Sequence, residues 1–181
     1  MNFIKTHIEG VFIIEPRIFE DSRGYFFESY NQVEFDNNIR PIHFVQDNES
    51  KSSYGVIRGV HFQTGIYAQS KLTRVVKGCV YDVAVDVRKD SSTFGQYVGV
   101  ELSEQNHRML FIPRGFAHGF SVLSNEAIFQ FKVDNIYHKE SEVGVAWDDH
   151  DINIDWHLPI NDIIVIEKDS KYPQLKDIIA F

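Results

Sequence analysis

The sequence predicts an all-β protein built as a barrel or a jelly roll, and three observations lead to this prediction. Aromatic residues make up 14% of the 181 residues, with 15 Phe and 8 Tyr, and aromatic side chains favour strands and bury large areas. Short strand-like runs recur along the whole chain between turn residues, and helical patterns are scarce. The length suits one domain with a substantial core. Because no linker, repeat or low-complexity segment divides the sequence, we assign residues 1–181 to a single domain.

The strand-like runs have the length and spacing of strands in a sandwich or barrel. The clearest alternation lies in residues 80–87, where one face is apolar and the other carries small and acidic residues. We expect this second face either to line a barrel cavity or to be solvated. Short peripheral helices are expected in "YNQVEFDNN" (30–38) and in "YPQLKDII" near the C-terminus. In chain order, the predicted strands are "VFIIEP", "GYFFESY", "HFVQDN", "GVIRGVHFQ", "KLTRVVKG", "CVYDVAVDVR", "QYVGVELS", "RMLFIP", "HGFSVLS", "AIFQFKV" and "SEVGVAWDD".

Charge and cysteine content exclude several classes of function. The formal net charge is -8 and the pI is about 5.4, so the overall field repels nucleic acid and anionic membranes. No apolar run approaches the roughly 20 residues of a membrane span, and "MNFIKTHIEG" lacks the apolar region of a signal peptide. The single Cys79 cannot form an intrachain disulfide. We therefore expect a reduced, soluble, cytoplasmic protein that binds neither nucleic acid nor membrane.

The segment "FIPRGFAHGF" contains the pattern Pro113-x-Gly115-x-x-His118, which resembles the second motif of the cupin jelly rolls. Proline and glycine make the tight turn that delivers the histidine into the barrel. Metal-binding cupins have a His-x-His pair in their first motif, whereas "GVHFQ" has His61 and then Gln63. Two histidines without a third ligand make a poor metal site. We expect a cupin-type jelly-roll barrel without a metal, and such barrels hold small ligands inside or at the mouth.

Three cationic or basic side chains lie close together in "RGVHFQTGIYAQSK", namely Arg58, His61 and Lys71. They are either solvated surface groups or the lining of a pocket for an anionic substrate. A regular strand would send Arg58 and His61 to opposite faces, because their numbers differ by three. The two side chains converge only if the strand bulges near Gly59, which glycine permits.

Several long segments match one family in order and spacing over essentially the full length of the chain. They are "RIFEDSRGYFFESYN", "FVQDNESKS", "GVIRGVHFQ", "AQSKL", "DVAVDVRKDS", "IPRGFAHGF", "VGVAWDD" and "EKD". With these segments the sequence resembles the dTDP-4-dehydrorhamnose 3,5-epimerase family. The resemblance implies an isomerase with a cupin jelly roll, which forms a homodimer by strand exchange. It also implies binding of a dTDP-linked 4-keto-6-deoxy sugar and inversion of the carbons on either side of the ketone, with no metal and no cofactor.

The resemblance assigns catalytic roles. His61 is the base that removes the proton next to the ketone, and Asp169 in "EKDSKYP" orients its ring. Lys71 faces the developing enolate oxygen, and Asp82 keeps the Lys71 ammonium charged and in place.

The resemblance also implies a set of substrate-binding residues. Arg23 and Glu28 belong to a strand that crosses into the partner subunit in the family. Arg58 and His118 are expected at the diphosphate, and Tyr137 is expected to stack on thymine. The remaining implied contacts are Gln46, Asp47 and Asn48 of "QDN" on the base and ribose side, and Glu142 and Lys168.

One position departs from the family pattern. The family has a tyrosine before a lysine that donates the proton on the face opposite the base, whereas this chain reads "IFQFKV", with Phe131 before Lys132. A phenyl ring keeps the packing but has no proton to give. We therefore expect ligand binding to be intact and double epimerisation to be impaired, unless water or another hydroxyl replaces the tyrosine.

Four functions stay open at this point. The first is an epimerase acting at C3 and C5, or at one of them, most readily C3. The second is a sugar-nucleotide ketoisomerase with the same fold. The third is a dTDP-sugar binder without catalytic activity, and the fourth is a metal-dependent cupin oxygenase.

Overall fold

The computed structural model describes residues 1–178. Most of the ordered secondary structure in this range is β-strand, and one short α-helix and a few 3-10 turns lie at the periphery. The strands are β1 Asn2–Lys5, β2 Phe12–Glu15, β3 Phe19–Asp21, β4 Gly24–Phe26, β5 Gln46–Ser53, β6 Ile57–Gln63, β7 Lys71–Lys77, β8 Cys79–Asp86, β9 Tyr97–Ser103, β10 Met109–Ile112, β11 Phe116–Val122, β12 Glu126–Val133 and β13 Glu142–Gly144. The helix α1 spans Gln32–Asn38, and the 3-10 turns are Gly65–Tyr67, Lys139–Ser141, Ile160–Asp162, Asp169–Lys171 and Leu175–Asp177.

The strands form two sheets that face each other. The six-stranded sheet has the order β1-β2-β10-β7-β12-β5, and the five-stranded sheet has the order β13-β6-β11-β8-β9. Neighbouring strands in both sheets are antiparallel. Strands β3 and β4 form a separate hairpin. This arrangement confirms the predicted all-β jelly roll with short peripheral helices. Every helix among the described residues is too short or too polar to cross a membrane.

The core has three layers, because both faces of each sheet are covered. The layer between the two sheets includes Val80 and Ala84 of β8, together with Phe129 of β12. The outer face of the five-stranded sheet packs against the C-terminal part of the chain around Trp156. The outer face of the six-stranded sheet packs against Phe35 of α1. The small and acidic face of residues 80–87 therefore points into the barrel, which excludes the solvated alternative.

The helix α1 forms where the sequence predicts it, and its ends have local causes. The side chain of Asn31 caps the helix by accepting a hydrogen bond from the backbone N–H of Glu34 at 3.2 Å. Glu34 adds an acidic group to the first turn, and Phe35 faces the core. The second predicted helix, near the C-terminus, is reduced to the 3-10 turn Leu175–Asp177. The last residue of that predicted segment, residue 179, lies outside the described residues.

A bulge in β6 brings Arg58 and His61 to the same face of the sheet. His61 pairs with His118 on β11, and Arg58 pairs with Phe120. The two pairs are therefore three residues apart on β6 but only two residues apart on β11, so β6 holds one extra residue. At the bulge Gly59 has a φ of +98°, and a Cβ there would overlap the carbonyl oxygen of His118. Only glycine fits both conditions. The bulge at Gly59 is therefore confirmed, and Arg58 donates from its Nε to Ser52 Oγ in the facing sheet at 2.8 Å.

The hairpin of β3 and β4 exposes a group of apolar rings. Phe19 is 50% exposed, Tyr25 is 59% exposed and Phe26 is 66% exposed. The hairpin bears an exposed ion pair between Arg23 and Asp21, with 2.6 Å between Arg23 Nη2 and Asp21 Oδ2. Exposed aromatic surface of this kind is typical of an interface.

Candidate active site

A cavity of about 210 Å³ opens at one end of the barrel. Strands β5, β6, β7, β12 and β13 contribute to its wall, because the alternation of each strand directs every second side chain inward. A second cavity, of about 290 Å³, adjoins it and shares Asn48 and Phe131 with the first. Seven of the residues predicted from the sequence line the first cavity. They are Gln46, Asn48, His61, Lys71, Phe131, Tyr137 and Glu142.

His61 lies on β6, the second strand of the five-stranded sheet, between His118 on β11 and Gly144 on the edge strand β13. Burial lowers its pKa well below the usual range of histidine, and the charge of Lys71 adds to this effect. The imidazole is therefore neutral at neutral pH. Its Nδ1 atom is buried and has no hydrogen-bond partner among residues 1–178. A neutral imidazole is able to accept a proton.

Lys71 is the first residue of β7, and its side chain is buried in the wall of the same cavity. Burial lowers the pKa of its ammonium to about 8, against the opposing attraction of Asp82 and Glu142. Its Nζ lies 6.0 Å from the centre of the Phe131 ring. The ammonium is thus largely charged at neutral pH, in a region from which water is mostly excluded.

Lys71 connects to Asp82 through a third side chain rather than directly. The Nζ of Lys71 lies 3.5 Å from Nδ1 of His118, and Nε2 of His118 lies 2.7 Å from Oδ1 of Asp82. The other carboxylate oxygen, Oδ2, accepts a hydrogen bond of 2.6 Å from the hydroxyl of Thr73. Asp82 and Thr73 are completely buried, and His118 is nearly so.

This geometry corrects two expectations. Asp82 was expected directly beside the Lys71 ammonium, but the imidazole of His118 lies between them. His118 was expected at the diphosphate, but both of its ring nitrogens have partners inside the barrel. His118 pairs with Ala84 on β8, and Ala84 belongs to the layer between the two sheets, so the side chain of His118 also points inward.

Asp169 lies next to β6 but does not have the predicted partner. Its Oδ2 accepts a hydrogen bond of 3.2 Å from the backbone N–H of Gly59, at the bulge. The expected hydrogen bond to the ring of His61 is not formed, since Nδ1 of His61 is unpaired. Burial raises the pKa of the Asp169 carboxyl. The carboxylate accordingly supports the bulge two residues before His61.

A polar group at the mouth of the cavity joins β13 to the C-terminal part of the chain. Lys168 Nζ forms an ion pair with Glu142, and Tyr172 donates its hydroxyl to Glu142 Oε1 at 3.3 Å. Burial raises the pKa of the Tyr137 hydroxyl, and its hydrogen bond to Glu142 adds to the effect. The Tyr172 ring occupies the space that a side chain at Gly144 would need. The sequence analysis did not single out Tyr172, although it lies in "EKDSKYP", and it did not single out Thr73, which lies in an ordinary strand-like run.

Gln63 stands where a second histidine would be in a metal-binding cupin. Its amide makes three hydrogen bonds to backbone atoms, donating to Tyr67 at 2.7 Å and Ile136 at 3.0 Å and accepting from His138 at 2.7 Å. It therefore ties two loops to the rim of the cavity. Within residues 1–178, no group of three or more His, Cys, Asp or Glu side chains is placed to hold a metal ion.

The remaining predicted residues lie outside the first cavity. Arg58 contacts Ser52, and Asp47 lines the second cavity and pairs with Lys132 at 2.8 Å. Glu28 accepts a hydrogen bond from Asn31. Like Arg23, which lies on the exposed hairpin, Glu28 is absent from the cavity wall of its own chain.

Comparison with known proteins gives consistent matches over nearly the whole chain. A family model described as dTDP-4-dehydrorhamnose 3,5-epimerase matches residues 5–177. The chain is 52% identical over 180 residues to the dTDP-4-dehydrorhamnose 3,5-epimerase of Escherichia coli K12, a match that covers 99% of this chain and 97% of the relative.

The structure matches that of the dTDP-6-deoxy-D-glucose-3,5-epimerase of Legionella pneumophila in complex with dTDP-4-keto-L-rhamnose. The TM-score is 0.94 at 45% identity, and the match covers 98% of this chain and 94% of that one. A dTDP-4-dehydrorhamnose 3-epimerase of Streptomyces niveus is 37% identical over 150 residues, which are 82% of this chain and 72% of that protein.

Fold and matches together define an isomerase with a cupin-like jelly roll. The chain belongs to the dTDP-4-dehydrorhamnose 3,5-epimerase family.

Proposed function

We propose that the protein epimerises a dTDP-linked 4-keto-6-deoxyhexose by removing a proton from a carbon next to the C4 ketone. One observation carries the proposal: the neutral imidazole of His61 and the buried ammonium of Lys71 line the same small cavity. The family and the ligand named for the Legionella relative support the substrate class.

The two side chains are suited to the two halves of this reaction. His61 accepts the proton from carbon, which produces an enolate with its charge on the former ketone oxygen. Lys71 stabilises that charge, and one preorganised donor in a dry site contributes about 3 to 4 kcal/mol. When the proton returns to the opposite face of the carbon, the centre is inverted. His61 alone can return it only to the face from which it came.

Asp169 is the proposed orienting partner of His61. Its support is the buried, unpaired Nδ1 of His61 and the position of the carboxylate at Gly59, two residues earlier. If the Asp169 carboxylate moved slightly and accepted a hydrogen bond from the His61 imidazolium in place of the one from Gly59, it would stabilise the charge formed on the ring.

The nucleotide part of the substrate is assigned to the rim of the cavity. Tyr137 is 54% exposed and presents a ring on which thymine can stack. Arg58 is proposed to bind the diphosphate, because a guanidinium matches the geometry of phosphate oxygens. The remaining proposed contacts of the same chain are Gln46, Asp47, Asn48, Glu142 and Lys168.

Arg23 and Glu28 are proposed to reach the cavity of a second copy in a homodimer. Both lie away from the cavity of their own chain, and Arg23 is on the hairpin that exposes Phe19, Tyr25 and Phe26. Exchange of this hairpin between two subunits would cover the exposed rings and complete both sites.

A second candidate function is inversion at one carbon only, C3. The observation that favours it is Phe131, which lines the cavity and pairs with Asn48 and Thr73 on its two neighbouring strands. A phenyl ring in this position cannot donate a proton. A relative that is 37% identical to this chain is named a dTDP-4-dehydrorhamnose 3-epimerase.

Proton NMR of dTDP-4-keto-6-deoxyglucose in heavy water, incubated with the protein, tests both functions. Deuterium at C3 and C5 with inversion at both carbons supports the 3,5-epimerase, and inversion at C3 alone supports the second candidate. A moved keto group would indicate a ketoisomerase, and dTDP binding without any exchange would indicate a binding protein. F131Y should raise double inversion about 10-fold or more, whereas the control F131L should not.

A further inference from the structure

A buried chain of polar side chains runs from the cavity into the space between the sheets. It begins at Lys71 on β7, passes through His118 on β11 and Asp82 on β8, and ends at Thr73 on β7. Only Lys71 lines the cavity, so Thr73 has no access to a substrate there. Polar groups buried at this depth are costly unless each has a partner.

The donor and acceptor capacity of the outer groups fixes the direction of each hydrogen bond. Since Asp82 accepts, Nε2 of His118 must carry the hydrogen in the 2.7 Å contact. Nδ1 then has a lone pair and accepts from the Lys71 ammonium at 3.5 Å. Burial lowers the pKa of His118, so its ring is neutral and keeps this tautomer. The chain thus joins a cation to a carboxylate through a neutral imidazole.

Thr73 determines how Asp82 is oriented. Its single hydroxyl hydrogen has two acceptors nearby, Asp82 Oδ2 at 2.6 Å and the backbone oxygen of Leu110 at 3.2 Å, and the shorter contact is the stronger one. With Thr73 on Oδ2, the other oxygen faces His118. Thr73 and Lys71 are two residues apart on one strand, so both point into the barrel.

We propose that Thr73 is a positioning residue for Lys71, which acts through Asp82 and His118 to hold the ammonium at the wall of the cavity. The proposal rests on the proposed function, in which Lys71 stabilises the enolate. Loss of the Thr73 hydroxyl leaves one oxygen of Asp82 unpaired, and the carboxylate is then free to turn away from His118. Lys71 loses both its fixed position and part of the attraction that keeps it charged.

The titratable groups that face Lys71 come from four other strands. They are His61 on β6, Asp82 on β8, His118 on β11 and Glu142 on β13. The two strands that flank Lys71, β10 and β12, place Ile112 and Val133 opposite it, and both are apolar. Of the acidic groups, Thr73 contacts only Asp82, so a change at Thr73 reaches Lys71 by this one route.

The test compares T73V, which has nearly the same shape, with T73S, which keeps the hydroxyl. Three properties of the full-length protein are measured: the pH profile of kcat/KM for deuterium exchange, kcat and KM separately, and thermal unfolding. In T73V we expect kcat to fall roughly 10-fold or more with KM little changed, and the basic limb of the profile to move about one unit towards acid. T73S should behave as the wild type. S121A is the control, because Ser121 is another buried hydroxyl that bonds to the backbone oxygen of Trp156.

A purely structural role would lower the unfolding temperature of T73V and leave kcat and the basic limb unchanged, which would overturn the proposal. If T73V does not fold, T73A takes its place with the same criteria. NMR of ¹³C-labelled lysine, with the Lys71 signal assigned from K71R, reports the pKa of Lys71 without any turnover. A wild-type protein without exchange activity would contradict the proposed function, whereas an unchanged Lys71 titration in the Thr73 variants would contradict this inference.

Discussion

His61 and His118 lie directly opposite each other on β6 and β11, and their rings differ in hydrogen bonding. Both ring nitrogens of His118 have partners, in Lys71 and Asp82. Nδ1 of His61 has none among the described residues. The ring of His118 is therefore held at both nitrogens, while Nδ1 of His61 is open to the proposed contact with Asp169.

Substitution of His61 tests its role as the base. We expect H61A to lose deuterium exchange by roughly 10² to 10⁴-fold, because this is the contribution of a general base. Affinity for dTDP, measured by calorimetry, should change little, since the proposed nucleotide contacts lie elsewhere. H43A, at an exposed position, is the control. Exchange by H61A at more than a tenth of the wild-type rate would show that another group is the base.

The variant D169N separates the two tasks that Asp169 could have. An asparagine oxygen still accepts the Gly59 N–H, so the bulge should persist, but the negative charge is lost. If Asp169 stabilises the His61 imidazolium during turnover, exchange should fall by roughly 10²-fold or more with dTDP binding retained. A wild-type exchange rate in D169N, measured by NMR in heavy water, would restrict Asp169 to supporting the backbone.

The bulge in β6 should depend strictly on glycine. In G59A the added methyl group overlaps the His118 carbonyl on backbone that already has a φ of +98°, and we expect stability to fall by roughly 3 kcal/mol. G65A is a matched control, because Gly65 also has a positive φ but has open space at the Cβ position. It should cost about 1 kcal/mol. Urea unfolding measures both, and equal losses would show that the close approach to His118 is unimportant.

Asp86 should make stability depend on pH. Burial raises the pKa of this carboxyl, but hydrogen bonds from Arg88, Ser91 and Thr93 outweigh burial and lower the pKa to about 2. The carboxylate therefore contributes stability above the unfolded pKa of about 4, and this is lost as the pH falls towards 2.

We expect D86N to be less stable than the wild type by roughly 2 kcal/mol at pH 7. The difference should shrink between about pH 4 and pH 2. Unfolding by urea at several pH values measures this, with D90N at a neighbouring exposed position as the control. A difference that stays constant down to pH 2 would contradict the assignment of the ionised carboxylate.

The exposed hairpin should be required for assembly and activity together. We expect the protein to be a homodimer by light scattering, and F26S to weaken the dimer by about 2 kcal/mol, the value of one buried aromatic side chain. Activity should then fall in parallel with the fraction of dimer as the protein is diluted. I160S, which alters an exposed residue outside the hairpin, should leave both unchanged. A fully active monomer would exclude the proposed strand exchange.

Much of the fold followed from local patterns. The alternation in residues 80–87 separated the two faces of β8 without deciding which one is buried. The odd spacing of Arg58 and His61 made their convergence depend on a bulge near Gly59, and the structure has this bulge. The strands β1 and β3 were not predicted, because they are short and largely exposed and have no clear apolar alternation.

The contacts between the two sheets could not be predicted from local sequence patterns. The position of His118 between Lys71 and Asp82 depends on how closely β7 approaches β8 and β11 across the barrel. A sequence specifies the face on which a side chain lies, but this distance results from packing of the whole core. Thr73 could not be singled out from the sequence either, because threonine is common in strands.

The interior between the sheets is apolar over most of its length, and of the residues in that cluster only Phe131 also lines the cavity. Protein engineers can therefore vary residues of this cluster that do not line the cavity, such as Ile8, Val98 and Leu102, to obtain a more heat-resistant catalyst. Combinatorial libraries confined to these positions should yield heat-tolerant variants that form the same reaction products as the parent protein.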